Sequence, residues 1–319
     1  MSPSLSRRPA LLAALALCGS LSLTACGSSG GDGPAATATA TPVTVAGVTV
    51  TRDAALYAAL PAAIRKAGRV RVATDVPYPP FEMYTAEGST TMTGLDHDLG
   101  QALGARLGVT FVFQAQKFDG IVPALQAGKY DAAISAITDN KEREQVVDFV
   151  DYSVSGSGIL VAEGNPQKIT TLDDLCGHSV GVQTATNQQK LLEKHQDACR
   201  TAGREPIHLQ AFPKDSDAQL ALRSGKVVAD VLTKPAAGWT AKTADGGAAF
   251  DLVDDPAALG GYNASPNGIA IPKNLPELTG AVQKALQSLI DDGTVAKIYG
   301  TYGVASIAVK SATRNGAVD

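Results

Sequence analysis

Along the chain, apolar positions change spacing in a regular alternation. Residues 69–74 alternate polar and apolar as one face of a strand. Leu95, Leu99, Leu103 and Leu107 then recur at every fourth position, the stripe of an amphipathic helix. Asp96 stands where it can cap that helix and Gly108 where it can end it. A second strand over 109–113, a helix over about 119–127 that tolerates Pro123 in its first turn, and a third strand over 130–137 complete a β-α-β-α-β unit. The order then repeats: strand 179–184, helix 187–202, strand 207–212, helix 215–224, strand 227–232. The repeat is legible in letters too. ALQAGK at 124–129 and ALRSGK at 221–226 each precede a third strand, with Gly128 and Gly225 where a helix end favours a left-handed residue. A last helical face, Leu278, Val282, Leu286, Leu289 and Ile290, stops at Gly293 and leads to a short helix over 294–299. The pattern predicts an α/β protein of two lobes, with its ligand cleft between them where strand carboxyl ends meet.

Composition narrows the class. At 319 residues, 45% hydrophobic and 18% charged, the chain can bury substantial cores and is not a wholly disordered protein. Net charge is −4, and no basic block follows the first ten positions, which argues against a nucleic-acid partner. The N-terminus reads as a secretory signal: Arg7 and Arg8 precede an apolar run over 10–17, too short to span a bilayer. Leu23-Thr24-Ala25-Cys26 then resembles the bacterial lipobox, which makes 1–25 a lipoprotein signal peptide and Cys26 the lipidated first residue. Arg7-Arg8 leaves both the general secretory and the twin-arginine routes open. Residues 26–47 begin with a Gly, Ser, Ala, Thr and Pro tract that suits a flexible tether. Gly27 to Gly31 matches G-x-S-x-G, but lacks the strand before and helix after that a nucleophile elbow needs.

Of four cysteines, Cys18 lies in the signal, Cys26 takes the lipid, and Cys176 and Cys199 remain in the body. Export to an oxidising compartment favours a Cys176–Cys199 disulfide, with two buried thiols as the alternative. His97, His178, His195 and His208 show no close ligand spacing with one another or with the cysteines, so no metal site and no cofactor is expected.

Specific residues go further than pattern. RVRVATDVPYPPFEM at 69–83, GLDHDL at 94–99, FDGIVPALQAGKYDAAIS at 118–135, TDNKEREQVVDFVDYSVSGSGILV at 138–161, LDDLCGHSVGVQT at 172–184 and the closing PNGIAIPKNLPEL…ALQSLIDDGTVAKIYGTYGV stand in order. In combination they closely resemble the polar amino-acid solute-binding proteins of ABC importers. The resemblance implies a type II periplasmic-binding fold with a hinged interlobe cleft. Its first lobe would be discontinuous, 67–158 plus 266–306; the second would be 159–265, and 307–319 a loosely packed tail. The hinge would lie at two crossings, near 157–160 and 262–269. Such a protein is expected to be monomeric and exported, held by lipid at the outer face of the cytoplasmic membrane, and to pass its ligand to a permease and ATPase complex.

Matched position by position, the resemblance implies that Arg143 holds a ligand α-carboxylate, a task suited to a planar, bidentate guanidinium. Ser135 and Thr138 are first-lobe polar contacts, Tyr78 and Phe118 sandwich the aliphatic part, and Asp75 is an acid near the amine or side chain. Thr184, Thr186 and Asn187 would complete the carboxylate pocket at a helix N-terminus. One departure stands out. Where the family commonly has an Asp for the ligand ammonium, this chain has Thr233, and Val228 replaces a neighbouring Asp; Asp230, on the same strand face, could deputise one step deeper. Two other functions share the fold: a dehydratase acting on cyclic acids, for which Glu82, Asp75 and His97 are the acid/base candidates, and a sensory lipoprotein without transport. For Glu82 a capping or solvent-facing position is expected.

Overall fold

The computed structural model describes residues 42–318. The signal 1–25, Cys26 and most of the expected tether lie outside the described residues. Nine strands form one sheet: β1 (Arg69–Thr74), β2 (Thr110–Ala115), β3 (Ala132–Ala133), β4 (Val147–Ala162), β5 (Ser179–Gln183), β6 (His208–Phe212), β7 (Ala229–Thr233), β8 (Phe250–Leu252) and β9 (Tyr262–Pro272). Their order is β6-β5-β7-β4-β9-β3-β1-β2, with β8 also paired to β4. The main helices are α1 (Leu95–Leu107), α2 (Ile121–Gln126), α3 (Asn187–Thr201), α4 (Asp215–Arg223), α5 (Lys234–Thr243), α6 (Pro276–Asp291) and α7 (Thr294–Thr301).

Two parallel groups flank a central antiparallel pair. β1 pairs in parallel with β2 and β3, and β5 with β6 and β7. Between the groups, β4 and β9 run antiparallel from Val147↔Pro272 to Ser157↔Tyr262, and β4 continues alongside β7 to Ala229↔Val161. β4 and β9, which run through the segments 157–160 and 262–269, join the two parallel groups of the sheet. Their register shifts twice, between Tyr262 and Ser265 and between Asn267 and Gly268. At the crossing, a Cβ on Gly156 would lie 2.3 Å from the carbonyl carbon of Gly261, which itself has φ +90°. Only glycine fits there. Buried leucines of α1 pack with Leu278, Val282, Leu286 and Leu289 of α6 in one core, and Val180, Val182, Leu192 and Cys199 form another.

Several expectations are revised. The strand expected over 130–137 is only Ala132–Ala133, because Ala136 turns to φ 45° and its N–H goes to the Asp96 carboxylate at 2.8 Å rather than to a neighbouring strand. Asp96 does not cap α1. Gly94 is the N-cap, since a Cβ there would meet the Phe81 carbonyl oxygen at 2.4 Å, while Asp96 is buried and also accepts from the Tyr152 hydroxyl at 3.0 Å. The end of the expected tether is folded: Val43–Val45 and Val48–Val50 form a hairpin about Ala46 and Gly47, both at positive φ, and Val45 and Val50 are buried. Nor is the tail loose. Arg314 donates to Asp148 at 2.6 Å, the Thr313 hydroxyl to Asp151 at 2.7 Å, and Arg314 bridges to Val150 as an added strand partner. The tail thus adds partners to two buried carboxylates of β4, Asp151 and Asp148, the latter also held by Lys273.

Cys176 and Cys199 are disulfide-bonded across 23 residues of sequence. His195 stands beside them, a proximity that the spacing did not reveal, but the sulfurs are joined to each other and His195 Nε2 lies 2.9 Å from an Asp173 carboxylate oxygen. Among the described residues no helix is long and apolar enough to cross a membrane.

Candidate ligand-binding site

The site assembles where strands of both halves end. β1 runs out into Asp75 and Tyr78, a 3-10 turn at Phe118–Gly120 brings up Phe118, and the chain leaving β3 presents Ser135, Ala136 and Thr138. From the other half, Gln183 closes β5, Thr186 caps α3 ahead of Asn187 and Gln188, and Thr233 closes β7. With Glu82 these residues line a cavity of about 20 Å³, room for roughly one water molecule.

The cavity is small because hydrogen bonds cross it. Gln183 Nε2 donates to Asp75 Oδ2 at 2.6 Å. The Thr233 N–H donates to the Tyr78 hydroxyl at 2.9 Å, and that hydroxyl lies 3.0 Å from Thr233 Oγ1. Asn140 Nδ2 donates to Asn187 Oδ1 at 2.7 Å, and Lys214 Nζ to the Val76 carbonyl at 3.3 Å. Beneath, the Ser135 hydroxyl accepts from the Asp75 N–H at 2.9 Å and donates to Glu82 Oε1 at 2.5 Å.

Of the ten ligand contacts predicted from sequence, eight line this cavity: Asp75, Tyr78, Phe118, Ser135, Thr138, Thr186, Asn187 and Thr233. Arg143 sits at its rim instead. Its Nη1 donates to the Thr138 carbonyl at 2.8 Å and its Nη2 to the Ala185 carbonyl at 2.9 Å, with the guanidinium carbon 5.5 Å from the Phe118 ring centre. Thr184 is outside the cavity, its N–H bonded to the Phe212 carbonyl at 2.8 Å. Asp230 is fully buried behind Thr233 and does not line the cavity, so it is not in place to deputise for a missing acid.

Sequence reasoning missed Ala136, Gln183 and Gln188, and it named Glu82 only as an acid/base candidate expected at a cap or in solvent. Glu82 is only 1% exposed, neither a cap nor solvent-facing. Gln183 continues the alternation of Val180 and Val182 onto the opposite face of β5.

Two carboxylates and no lysine, arginine or histidine line the cavity. Burial raises the pKa of Asp75, an effect opposed by the Gln183 hydrogen bond. Burial, then the neighbouring Asp96 carboxylate, holds Glu82 well above the usual range. Deeper in the second half, burial also raises Asp215 and Asp230, and neither oxygen of Asp230 has a hydrogen-bond partner. In both cavity carboxylates, Asp75 and Glu82, burial disfavours the charged form, and a cation bound beside them would favour it.

Comparison with known proteins agrees with this geometry. The family described as bacterial extracellular solute-binding proteins, family 3, matches residues 70–305. The arginine-binding protein ArgT of Corynebacterium glutamicum is 31% identical over 250 residues, 78% of this chain and 79% of its own. An ancestral arginine-binding protein solved bound to arginine is 35% identical, with a TM-score of 0.65 over 74% of this chain and 98% of its own. The ancestral amino acid-binding protein AncCDT-1, described as a precursor of cyclohexadienyl dehydratase, is 33% identical, with a TM-score of 0.66 over 75% and 97%.

Proposed function

Because this chain belongs to the bacterial extracellular solute-binding proteins, family 3, we propose that it is an importer receptor that closes its two lobes on a cationic amino acid, arginine above all. The observation that carries the ligand class is the cavity wall: both charged groups on it, Asp75 and Glu82, are acids, and every side chain contributed from 183 onwards is neutral. Binding to arginine by ArgT and by the ancestral protein supports the same reading.

In this reading the ligand cation replaces the Gln183 amide beside Asp75 and favours the ionised form of Glu82, whose proton passes to solvent. Its carboxylate reaches the Arg143 guanidinium, which exchanges the Thr138 and Ala185 carbonyls for it, and the N-terminus of α3 at Thr186 and Asn187. With Thr233 offering a hydroxyl rather than a charge, Asp75 alone neutralises the ammonium. Lobe 1 comprises 67–158 and 266–306 and lobe 2 comprises 159–265; closure turns on β4 and β9 where they cross, and ligand stabilises the closed form by binding it more tightly. Cys26 carries the lipid that holds the receptor at the membrane, and a permease and ATPase accept the ligand. No chemical step is assigned: Glu82, which accepts a hydrogen bond from the Ser135 hydroxyl, serves to meet a cation and not to protonate a leaving group.

Calorimetry on the protein from Gly27 onward tests this. Arginine is expected to bind more tightly than glutamine or glutamate. Asp75→Asn should weaken it by roughly 2–3 kcal/mol, the cost of removing one partner of a buried charge pair, and arginine recovered from the complex should be chemically unchanged. Tighter binding of a neutral or acidic amino acid, or turnover of the ligand, would overturn the reading.

A further inference from the structure

A second cavity, about 740 Å³ and far larger than the cleft, lies among β4, α5 and the segment after α7. Its wall includes Trp239, Tyr302, Val154 and Leu259, with the two aromatic ring centres 6.5 Å apart. Val154 and Leu259 are 43% and 73% exposed, two of the few large apolar side chains left in water among the described residues. The charged groups on the wall are Lys242 and Lys234, the latter donating to the Ala258 carbonyl at 3.0 Å and lying 4.0 Å from an Asp254 carboxylate oxygen, and no carboxylate lines it.

The alternation of β4 shows which side this is. Ser155 lines a cavity shared with Thr138 and Asn187 of the cleft, whereas Val154, one residue earlier, lines the large one. Successive strand side chains point to opposite faces, so the crossing strands stand between the cleft and this pocket. Its two flanks belong to different halves. α5 follows directly from β7, while Tyr302 is fixed to α1 by donating to Asp98 at 2.8 Å and accepting from the Gly94 N–H at 3.2 Å.

We infer that this rear pocket is a second binding site, for a small aryl carboxylate whose ring lies against Trp239 and Tyr302 and whose anion meets Lys242. Size and lining suit a small molecule: a concave, mostly apolar and aromatic wall with a few convergent polar groups. Charge complementarity sets the sign of the ligand. Because the flanks move with different halves, a ligand here senses lobe position. Bending about β4 and β9 that shuts the cleft widens the opposite side, so occupancy of the rear pocket and of the cleft is positively coupled. The coupling rests on the proposed lobe closure; the site itself does not.

Trp239 is the sole tryptophan of the chain and lines this pocket, so its emission reports from the pocket wall, and arginine added alone controls for its response to lobe movement. Titration of the protein from Gly27 onward with 3-phenylpropionate is expected to change that emission saturably, and the neutral 3-phenylpropionamide to do so much more weakly. Leu259→Asp, at an exposed position, should abolish the response, and Lys242→Gln should weaken it about fivefold, as for one exposed ion pair. Saturating arginine should tighten phenylpropionate binding. Calorimetry of arginine on the same samples keeps failure of the cleft reading separate from failure of this one. An unmoved emission up to the solubility limit, an equal response to the amide, or a response that survives Leu259→Asp would overturn the site. Emission that answers only to vesicles carrying the cognate permease would also overturn it, making the groove a protein contact.

Discussion

Removing the disulfide tests how the second half of the molecule is held. Cys176 ends the 3-10 turn Leu172–Leu175 ahead of β5, and Cys199 lies in the last turns of α3, fully buried. Their bond closes a loop of 23 residues. In the chain-entropy treatment a crosslink of that span removes about 11 cal/mol/K from the unfolded ensemble, or about 3.4 kcal/mol at 25 °C. Replacing both by alanine, which leaves a small void near Leu192 and Val180, adds up to about 1 kcal/mol. The Cys176→Ala, Cys199→Ala variant should therefore lose about 3–4 kcal/mol in guanidinium unfolding followed by circular dichroism, and its Tm should fall by roughly 7–14 °C. The bond joins the far end of α3 to β5, whereas Thr186 and Asn187 at the near end carry the site, so ligand affinity below the transition should change little. A loss under about 1 kcal/mol would refute the loop-closure reasoning, and a large loss of affinity in the folded variant would show that the bond positions the site.

Other outcomes follow from single contacts. Tyr78→Phe deletes the hydroxyl that joins Thr233 across the cleft; it should favour the open form by about 1 kcal/mol, seen as a larger radius of gyration by small-angle scattering without ligand. Gly156→Ala would place a methyl against the Gly261 backbone; a clash that backbone cannot easily relieve should cost about 1–3 kcal/mol in chemical unfolding, and a neutral result would show the crossing strands to be pliable. Burial raises Asp215 to about 7. A carboxylate whose folded pKa is raised contributes stability that is complete below about pH 4 and is lost as pH rises towards about 7, so Asp215→Asn should flatten the decline of stability across that window. Ending the chain at Ser306 leaves Asp148 with Lys273 but without Arg314, and Asp151 without Thr313, and should destabilise by roughly 2–3 kcal/mol; an unchanged melting temperature would restore the tail to a loose extension.

The sequence by itself determined the alternation of strands and helices, because period-two and period-four burial are local consequences of backbone geometry. It also favoured the cysteine pairing, and the ordered family motifs, not the pattern of strands and helices, named eight of the residues that the structure brings together at the cleft. Residues 43–50 were legible too, had the V-T-V-A-G-V-T-V hairpin been read instead of the tract before it. Only the tertiary structure decided where buried charge goes. Asp96, equally suited to a cap, lies inside because Ala136 and Tyr152 need its oxygens. Glu82 is drawn into the cleft by Ser135, 53 residues away, and the tail is ordered by Asp148 and Asp151. Local patterns record which side chains prefer water. Which buried carboxylate finds which distant donor is settled when the halves of the sheet come together, because desolvation makes each such group costly until a partner arrives.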